Sequence, residues 1–307
     1  MATTPAGSVG SGPSHQGESV CAAVVLHNPE PELLAAQRAA TAAQVAELLY
    51  VDNGGGRAAA AVRAGDLAVA DGLVWLGDGT NPGLAAGLNL ALRAAVARGH
   101  AWCLLLDQDS IPDPGLVSTL REGAQAAPDI LAAGPAIRDE HTGVVEHFAR
   151  LRLPLNRRIT PADVAPDAFF DVDFLITSGT LVRLGLLHRA GWMDEDLFID
   201  CVDFDWSFRA RSRGLRLVAT FATQLRHRRG DAVVRLPGMA LRLHSASRLA
   251  YMHRNRVRLY RRRYVPLAWK VHDLARLVVK LALLLAFVPG RRERVAAVLR
   301  GLREGLA

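Results

Sequence analysis

Two carboxylates separated by one residue, Asp107 and Asp109, follow directly on the apolar run Trp102-Cys103-Leu104-Leu105-Leu106. A short run of this kind, bounded by Gly99-His100 and Pro112, reads as an interior strand of a parallel sheet. Side chains alternate along a strand, so Asp107 and Asp109 are expected on one face. There they can converge on one cation at the strand's carboxyl end, where open α/β sheets bind ligands. The competing reading is structural, with Asp107 capping a loop and Asp109 opening the turn before Pro112. A second concentration of acids, Asp194, Glu195, Asp196, Asp200, Asp203 and Asp205, is interleaved with Trp192, Phe198, Phe204 and Trp206. Such a cluster is unfavourable unless exposed or engaged in chemistry, and Asp203 or Asp205 could cap the helix that runs on through Arg211. His227 stands beside Arg226, Arg228 and Arg229, a set of donors suited to a diphosphate.

The elements that must position these groups alternate between strand and helix. Val20–Leu26 is a buried strand ending at His27-Asn28-Pro29, and a helix starts near Pro31 and runs through the forties. The strand Leu48–Val51 ends in Asp52-Asn53-Gly54-Gly55-Gly56, where polar groups at a strand end can hold a base and ribose; a simple Gly-rich turn is the alternative. After a third strand, Leu73–Leu76, the segment Asn81–Asn89 opens a helix reaching to about Arg98. Its small residues Gly83, Ala85, Ala86 and Gly87 either let backbone approach a phosphate closely or serve tight helix-to-sheet packing. The alternation specifies a mostly parallel sheet flanked by helices. Further on come a helix to about Ala126, a strand Ile130–Pro135, and a weakly patterned stretch from 138 to 166 whose His141 and His147 read as solvated loop residues. A strand and turn over Phe169–Val182 and a strand Leu215–Ala219 follow.

The chain has 307 residues, half of them apolar, enough for a full α/β core. Its net charge of +7 is concentrated in the C-terminal third, where Arg254, Arg256, Arg258, Arg261, Arg262 and Arg263 crowd together. That run suggests an anionic partner. Cys21, Cys103 and Cys201 are too few and too scattered for a disulfide framework or a metal knuckle, which points to a reducing, cytoplasmic setting. Residues 1–19 read as a disordered leader. The apolar run 274–288 is shorter than the ~20 residues that span a bilayer and carries Arg276 and Lys280, so it reads as interfacial or packed on the core.

Leu26-His27-Asn28, Val51-Asp52-Asn53, the segment Asn81–Asn89 and Leu104-Leu105-Leu106-Asp107-Gln108-Asp109-Ser110 together resemble the nucleotide-sugar half of an inverting family 2 glycosyltransferase of GT-A fold. Leu106–Ser110 and the tail segment Ser245–Arg256 are most similar to the rhamnosyltransferase branch. Val202-Asp203-Phe204-Asp205-Trp206 resembles the acidic motif that supplies the family's base, with Asp205 standing where Glu is common.

The resemblance covers about residues 20 to 260, and it implies a donor site formed by His27, Asn28, Asp52, Asn53, Asn81, Gly83, Asn89, Asp107 and Gln108. Thr177, Ser178 and Gly179 would line the sugar. It further implies Mn2+ or Mg2+ on Asp107, Asp109 and His227, a catalytic base at Asp203 or Asp205 with Asp203 favoured, and acceptor contacts from Trp192, Asp200 and Trp206. The expected divisions are a leader (1–19), a GT-A domain (20–240, with a nucleotide-sugar half to about 135 and an acceptor half beyond) and a basic helical extension (241–307). The implied reaction moves L-rhamnose from dTDP-L-rhamnose to a cell-envelope glycan or a lipid-linked acceptor. UDP-hexose or UDP-galactofuranose is the alternative donor, and a nucleotide-sugar-binding protein without turnover the alternative class. A peripheral contact with anionic membrane through 254–288, on the cytoplasmic side, is expected. A nucleic-acid partner is not, because the acids around Asp203 oppose one and no nucleic-acid-binding module is present.

Overall fold

The computed structural model describes residues 18–54, 72–140, 142–227, 232–236, 239–243, 245–287 and 291–307. Most of the expected leader, the glycines at 55 and 56, His141, Arg228 and Arg229 lie outside the described residues.

The chain order is β1 (Val20–Leu26), α1 (Pro31–Ala42), β2 (Glu47–Asp52), β3 (Leu73–Leu76), α2 (Leu84–Ala97), β4 (Trp102–Asp107), β5 (Ser110–Pro112), α3 (Leu116–Gln125) and β6 (Ile130–Asp139). There follow β7 (Phe148–Arg150), β8 (Arg157–Ile159), β9 (Phe169–Asp171), β10 (Leu181–Arg183), α4 (Leu187–Ala190), α5 (Val202–Ser212) and β11 (Arg216–His227). A hairpin, β12 (Ala232–Leu236) and β13 (Met239–Leu243), leads to α6 (Ala246–Arg261), α7 (Leu267–Phe287) and α8 (Arg291–Leu306). The expected boundary at 240 thus falls within β13.

The central sheet has the order β3-β2-β1-β4-β10-β6-β11-β5, with β9 also paired to β11. β1, β2, β3 and β4 are mutually parallel, and β6 runs parallel to β11, while β10 lies antiparallel between β4 and β6. The chain moves from β1 outward to β3 and returns to place β4 on the other side of β1. The reversal makes the crevice beyond the carboxyl ends of β1 and β4 a topological switch point, where such sheets bind ligands. Burial on both faces explains the unbroken apolar runs. Along β4, Cys103 and Leu105 join one core layer with α2, Trp206, Phe208 and Trp269, whereas Trp102, Leu104 and Leu106 join the other with Leu34, Leu116 and Leu120.

The structure differs from the sequence expectations at several elements. β4 ends at Asp107, and Asp109 lies in the following turn, so strand alternation does not put the two acids together; the turn into β5 does. β11 continues past Ala219 to His227, with register irregularities against β6 between Ala219 and Gln224. The stretch read as unpatterned contains the β7–β8 hairpin, whose three-residue strands are too short to show a period. α6 and α7 join the main core through Leu259, Val265 and Trp269, whereas α8 packs on α6 through Ala297 against Leu249 and Ala250.

Candidate active site

At the carboxyl end of β4 the two acids meet the last residue of β11. Asp107, Asp109 and His227 each offer a ligand atom, and these atoms all lie within 4.8 Å of one another. Two elements make this possible: the turn after β4, and the pairing of β11 with β5 that sets His227 opposite Ser110. Ser110 Oγ lies 2.7 Å from His227 Nδ1, which leaves Nε2 on the side of Asp107 Oδ2, 4.0 Å away. Ser178 Oγ accepts from the Asp107 N–H at 3.0 Å and meets Ser110 Oγ at 2.8 Å. The two hydroxyls therefore fix the main chain at Asp107 and the imidazole of His227, as the outer shell of a metal site does. Carboxylate oxygens with one imidazole nitrogen form a donor set suited to Mn2+ or Mg2+, and the partial exposure of both acids leaves room for ligand oxygens. A cavity of about 260 Å³ opens beside Ser178, lined among others by Pro135, Glu146, His147, Phe174 and Arg276. His147 is an exposed loop residue, as read from the sequence, and stands on its wall.

The strand ends are bound to one another across the switch point. The Gln108 side chain accepts from the His27 main-chain N–H at 2.7 Å and donates back to its carbonyl at 3.1 Å, tying β1 to β4. His27 Nδ1 lies 3.2 Å from the Asn53 carbonyl, and the exposed Asn28 stands next in the left-handed region (φ 47°). Asp52 is buried and accepts from the Gly54 N–H at 3.3 Å. Asn53 Oδ1 is buried without a hydrogen-bond partner among the described residues, an unsatisfied acceptor just beyond the carboxyl end of β2. Asn81 Oδ1 accepts from the Gly83 N–H at 3.1 Å in the turn that starts α2.

Two candidates from this region are engaged elsewhere. The space a side chain on Gly83 would need is filled by Phe198, 2.5 Å from an ideal Cβ, so this glycine serves close packing of protein on protein at φ 97°. Asn89 is buried on α2, where its Oδ1 accepts from the Met193 N–H (2.9 Å) and its Nδ2 donates to the Met193 carbonyl (3.0 Å) and to Glu195 (2.7 Å). It holds the acidic segment and does not face the strand ends. Gly179, at φ 85°, packs against Leu225 and Pro135 and keeps the Ser178 turn tight.

Most acids of the second cluster have cationic partners. Asp194 meets Arg262, Asp200 accepts two bonds of 3.1 Å from Arg248, and Glu195 lies 3.6 Å from Arg93. Asp205 is fully buried, accepts from Arg262 and Tyr264, and is flanked by Arg209 at 3.4 Å. Burial, and next the bond to Asp205, push the Tyr264 hydroxyl up to about 12. Burial opposes the charge on Arg262, yet the Asp205 carboxylate beside it holds that guanidinium well above its usual range.

Asp203, in the first turn of α5 and half-buried, differs. Among the described residues it has no cationic partner, and its Oδ1 accepts from the Phe204 N–H at 2.9 Å. Burial, with a smaller push from the charge of Asp200, raises its carboxyl to about 6. An unpaired carboxylate poised there can accept a proton near neutral pH. Of the expected acceptor contacts, Trp192 is exposed at 37% beneath the Arg93 guanidinium, Asp200 is paired with Arg248, and Trp206 is buried and donates to the Gly191 carbonyl at 2.9 Å.

The partners of these acids went unseen in the sequence. Arg262 and Tyr264 follow Asp205 by 57 and 59 positions, and Ser110 precedes His227 by 117. Only the arginine run hinted at them.

No family model matches the chain. The dTDP-rhamnosyl transferase RfbF of Shigella flexneri is 26% identical over 241 residues, 73% of this chain and 77% of that protein. Among solved structures, GalNAc-T7 with UDP, GalNAc and Mn2+ superposes with a TM-score of 0.59 at 14% identity, over 78% of this chain and 48% of its own. The chain thus spans about half the length of that protein. Residues 1–349 of S. aureus TarS superpose with a TM-score of 0.56 at 13% identity, over 94% of this chain and 80% of that one. The mixed sheet with its acid pair at a switch point, together with these likenesses, gives the chain the GT-A fold of glycosyltransferases, and its sequence is similar to that of a dTDP-rhamnosyl transferase.

Proposed function

We propose that the chain transfers L-rhamnose from dTDP-L-rhamnose to a hydroxyl of a cell-envelope glycan or glycolipid, with inversion at the anomeric carbon. The observation that carries this reading is the meeting of Asp107, Asp109 and His227 at the switch point, beside the strand ends of β1 and β2. The likeness to a protein named for dTDP-rhamnose supports the choice of donor over UDP-hexose or UDP-galactofuranose. His27, Asn28, Asp52 and Asn53 line the base and ribose end, and Ser178 with Gly179 borders the sugar. A divalent cation on the trio, Mn2+ or Mg2+, supplies charge neutralisation for a departing diphosphate.

Asp203 is the general base. Its carboxylate takes the proton of the acceptor hydroxyl as that oxygen bonds to the anomeric carbon and the bond to the diphosphate breaks, the electron pair leaving with dTDP. With a carboxyl near 6, Asp203 is ionised at neutral pH and basic enough to share the proton. Asp205, locked by Arg262, Tyr264 and Arg209, anchors the helix that carries the base.

Membrane contact is the second part of the reading. No described helix is long and apolar enough to cross a membrane. α7, however, exposes Leu267, Val271, Leu274 and Val278 at spacings of one helical face, with Arg276 and Lys280 close by. A cytoplasmic membrane surface bearing anionic lipid and a lipid-linked acceptor fits that face. The arginines of α6 contribute less than their number suggests, since Arg254, Arg256, Arg258 and Arg261 all bond within the protein.

The test is dTDP or UDP release by the full chain from dTDP-L-rhamnose, UDP-galactofuranose and UDP-glucose with a membrane-derived acceptor. The proposal predicts release from dTDP-L-rhamnose at rates well above the other two. Tight dTDP binding without release from any donor would favour the binding-protein alternative.

A further inference from the structure

The segment that leads into α5 has a backbone that three non-glycine residues strain. Phe198 (φ 61°), Asp200 (φ 63°) and Cys201 (φ 64°) all occupy the left-handed region, which a side chain disfavours and which persists only where surroundings enforce it. What enforces it comes from α6. Asn255 is fully buried, and its Nδ2 donates to the carbonyls of Leu197 (2.7 Å), Ile199 (2.7 Å) and Asp200 (2.9 Å). Its Oδ1 accepts from Arg254 Nε at 3.0 Å. Arg254 also donates to the carbonyls of Asp196 (2.7 Å) and Leu197 (3.1 Å), and Arg258 to that of Asp196 (2.9 Å). Arg248 holds the Asp200 carboxylate, and the Tyr251 ring stacks on Phe198 at 4.7 Å. One face of a helix thus binds the main-chain carbonyls of 196, 197, 199 and 200.

The strap joins both ends of the site. Its Phe198 fills the space beside Gly83, and the Phe198 carbonyl accepts from the Ala85 N–H at 3.3 Å at the start of α2. At its other end the Cys201 carbonyl accepts from the Asp205 N–H at 3.0 Å and opens α5, so the dihedrals of Asp200 and Cys201 set where the first turn of that helix carries Asp203. An amide has two N–H groups, and here they serve three converging carbonyls, of which that of Leu197 is shared with Arg254.

We propose that Asn255 is a positioning residue: by gathering three carbonyls of the strap it fixes the first turn of α5, and with it Asp203, relative to the donor-side helix. The helix Ala246–Arg261 is then part of the catalytic apparatus. The inference rests on Asp203 being the base of the proposed transfer.

The experiment measures kcat and donor KM for dTDP release from dTDP-L-rhamnose by Asn255→Ala, Arg248→Ala, Asp203→Asn and the double variant Asp203→Asn/Asn255→Ala. Leu120→Ala, a truncation of a fully buried residue in the other core layer, controls for mere loss of stability. Misplacing a reacting group by an ångström costs ~10²-fold in rate. Asn255→Ala should therefore lose on the order of 10²-fold in kcat with donor KM within about threefold, Arg248→Ala should lose less in the same pattern, and the double variant should be no slower than Asp203→Asn. Leu120→Ala should keep its kcat below its melting temperature. Equal kcat losses in Asn255→Ala and Leu120→Ala, or full kcat in Asn255→Ala, would overturn the inference. Should Asn255→Ala not fold, a wild-type kcat in Arg248→Ala overturns it. If Asp203→Asn itself keeps turnover, it is the base assignment that fails, a result distinct from Asn255→Ala alone being harmless.

Discussion

Asp203→Asn is expected to make the protein inactive and more stable at once. The carboxyl of Asp203 is raised from 3.8 to about 6, chiefly by burial. The unfolded chain releases this proton near pH 4 whereas the folded chain keeps it to about pH 6. Between those values the charge increasingly disfavours the folded state, and above pH 6 the penalty is complete. A shift of about two units corresponds to ~3 kcal/mol, and partial exposure reduces this to about 1–3 kcal/mol. Asparagine keeps an acceptor for the Phe204 N–H and carries no charge, so it removes the penalty at pH 8 and gains nothing at pH 4. At ~2–4 °C per kcal/mol for a chain above 150 residues, melting at pH 8 should rise by several degrees. Turnover should fall by ~10²–10⁴-fold, and wild-type turnover should decline as pH drops through about 6. Thermal melts at both pH values with matched rate assays check this. A variant that keeps turnover, or that melts lower than wild type at pH 8, would refute the reasoning.

Three further outcomes follow from other parts of the molecule. Arg262→Ala leaves the buried Asp205 with Arg209 as its remaining cation and should destabilise the fold by ~3 kcal/mol in denaturant titration. Ser110→Ala removes the group beside His227 Nδ1 and should weaken manganese affinity by ~10-fold or more in calorimetry, without a change in melting comparable to that of Arg262→Ala. Replacing Val271 and Val278 by Glu on the outward face of α7 should abolish co-flotation with phosphatidylglycerol vesicles and spare dTDP binding; unchanged flotation would rule out that face.

What the sequence disclosed depended on the kind of constraint. β1, β2 and β4 were legible because strands covered on both faces must be apolar throughout, and a carboxylate or amide ending such a run stands out. Asp107 and Asp109 were found as a pair, though the alternation invoked for them fails, since a turn and not a pleat brings Asp109 round. Strands of three residues, such as Phe148–Arg150, left no period to detect. The arginine run of α6 read as a surface for anions because composition records charge and not direction. In the fold the guanidiniums of Arg254, Arg258 and Arg262 turn toward carbonyls and an acid more than 50 positions earlier in the chain, and those of Arg256 and Arg261 toward Asp273 and the carbonyl of Leu306. Asn89 and Trp206 looked like ligand contacts by motif position, yet their polar atoms bond to Met193 and Gly191, contacts that exist only once α2 and α5 each pack against the segment 191–193.

The central claim is that the Asp107–Asp109–His227 trio binds a nucleoside diphosphate through a divalent cation. Calorimetric titration of dTDP into wild type and Asp109→Asn, each with manganese and with chelator, tests it most directly. The account predicts strong binding for wild type with manganese, a loss of at least tenfold with chelator, and comparably weak binding by Asp109→Asn in either buffer. Equal dTDP affinity in all four titrations would contradict it.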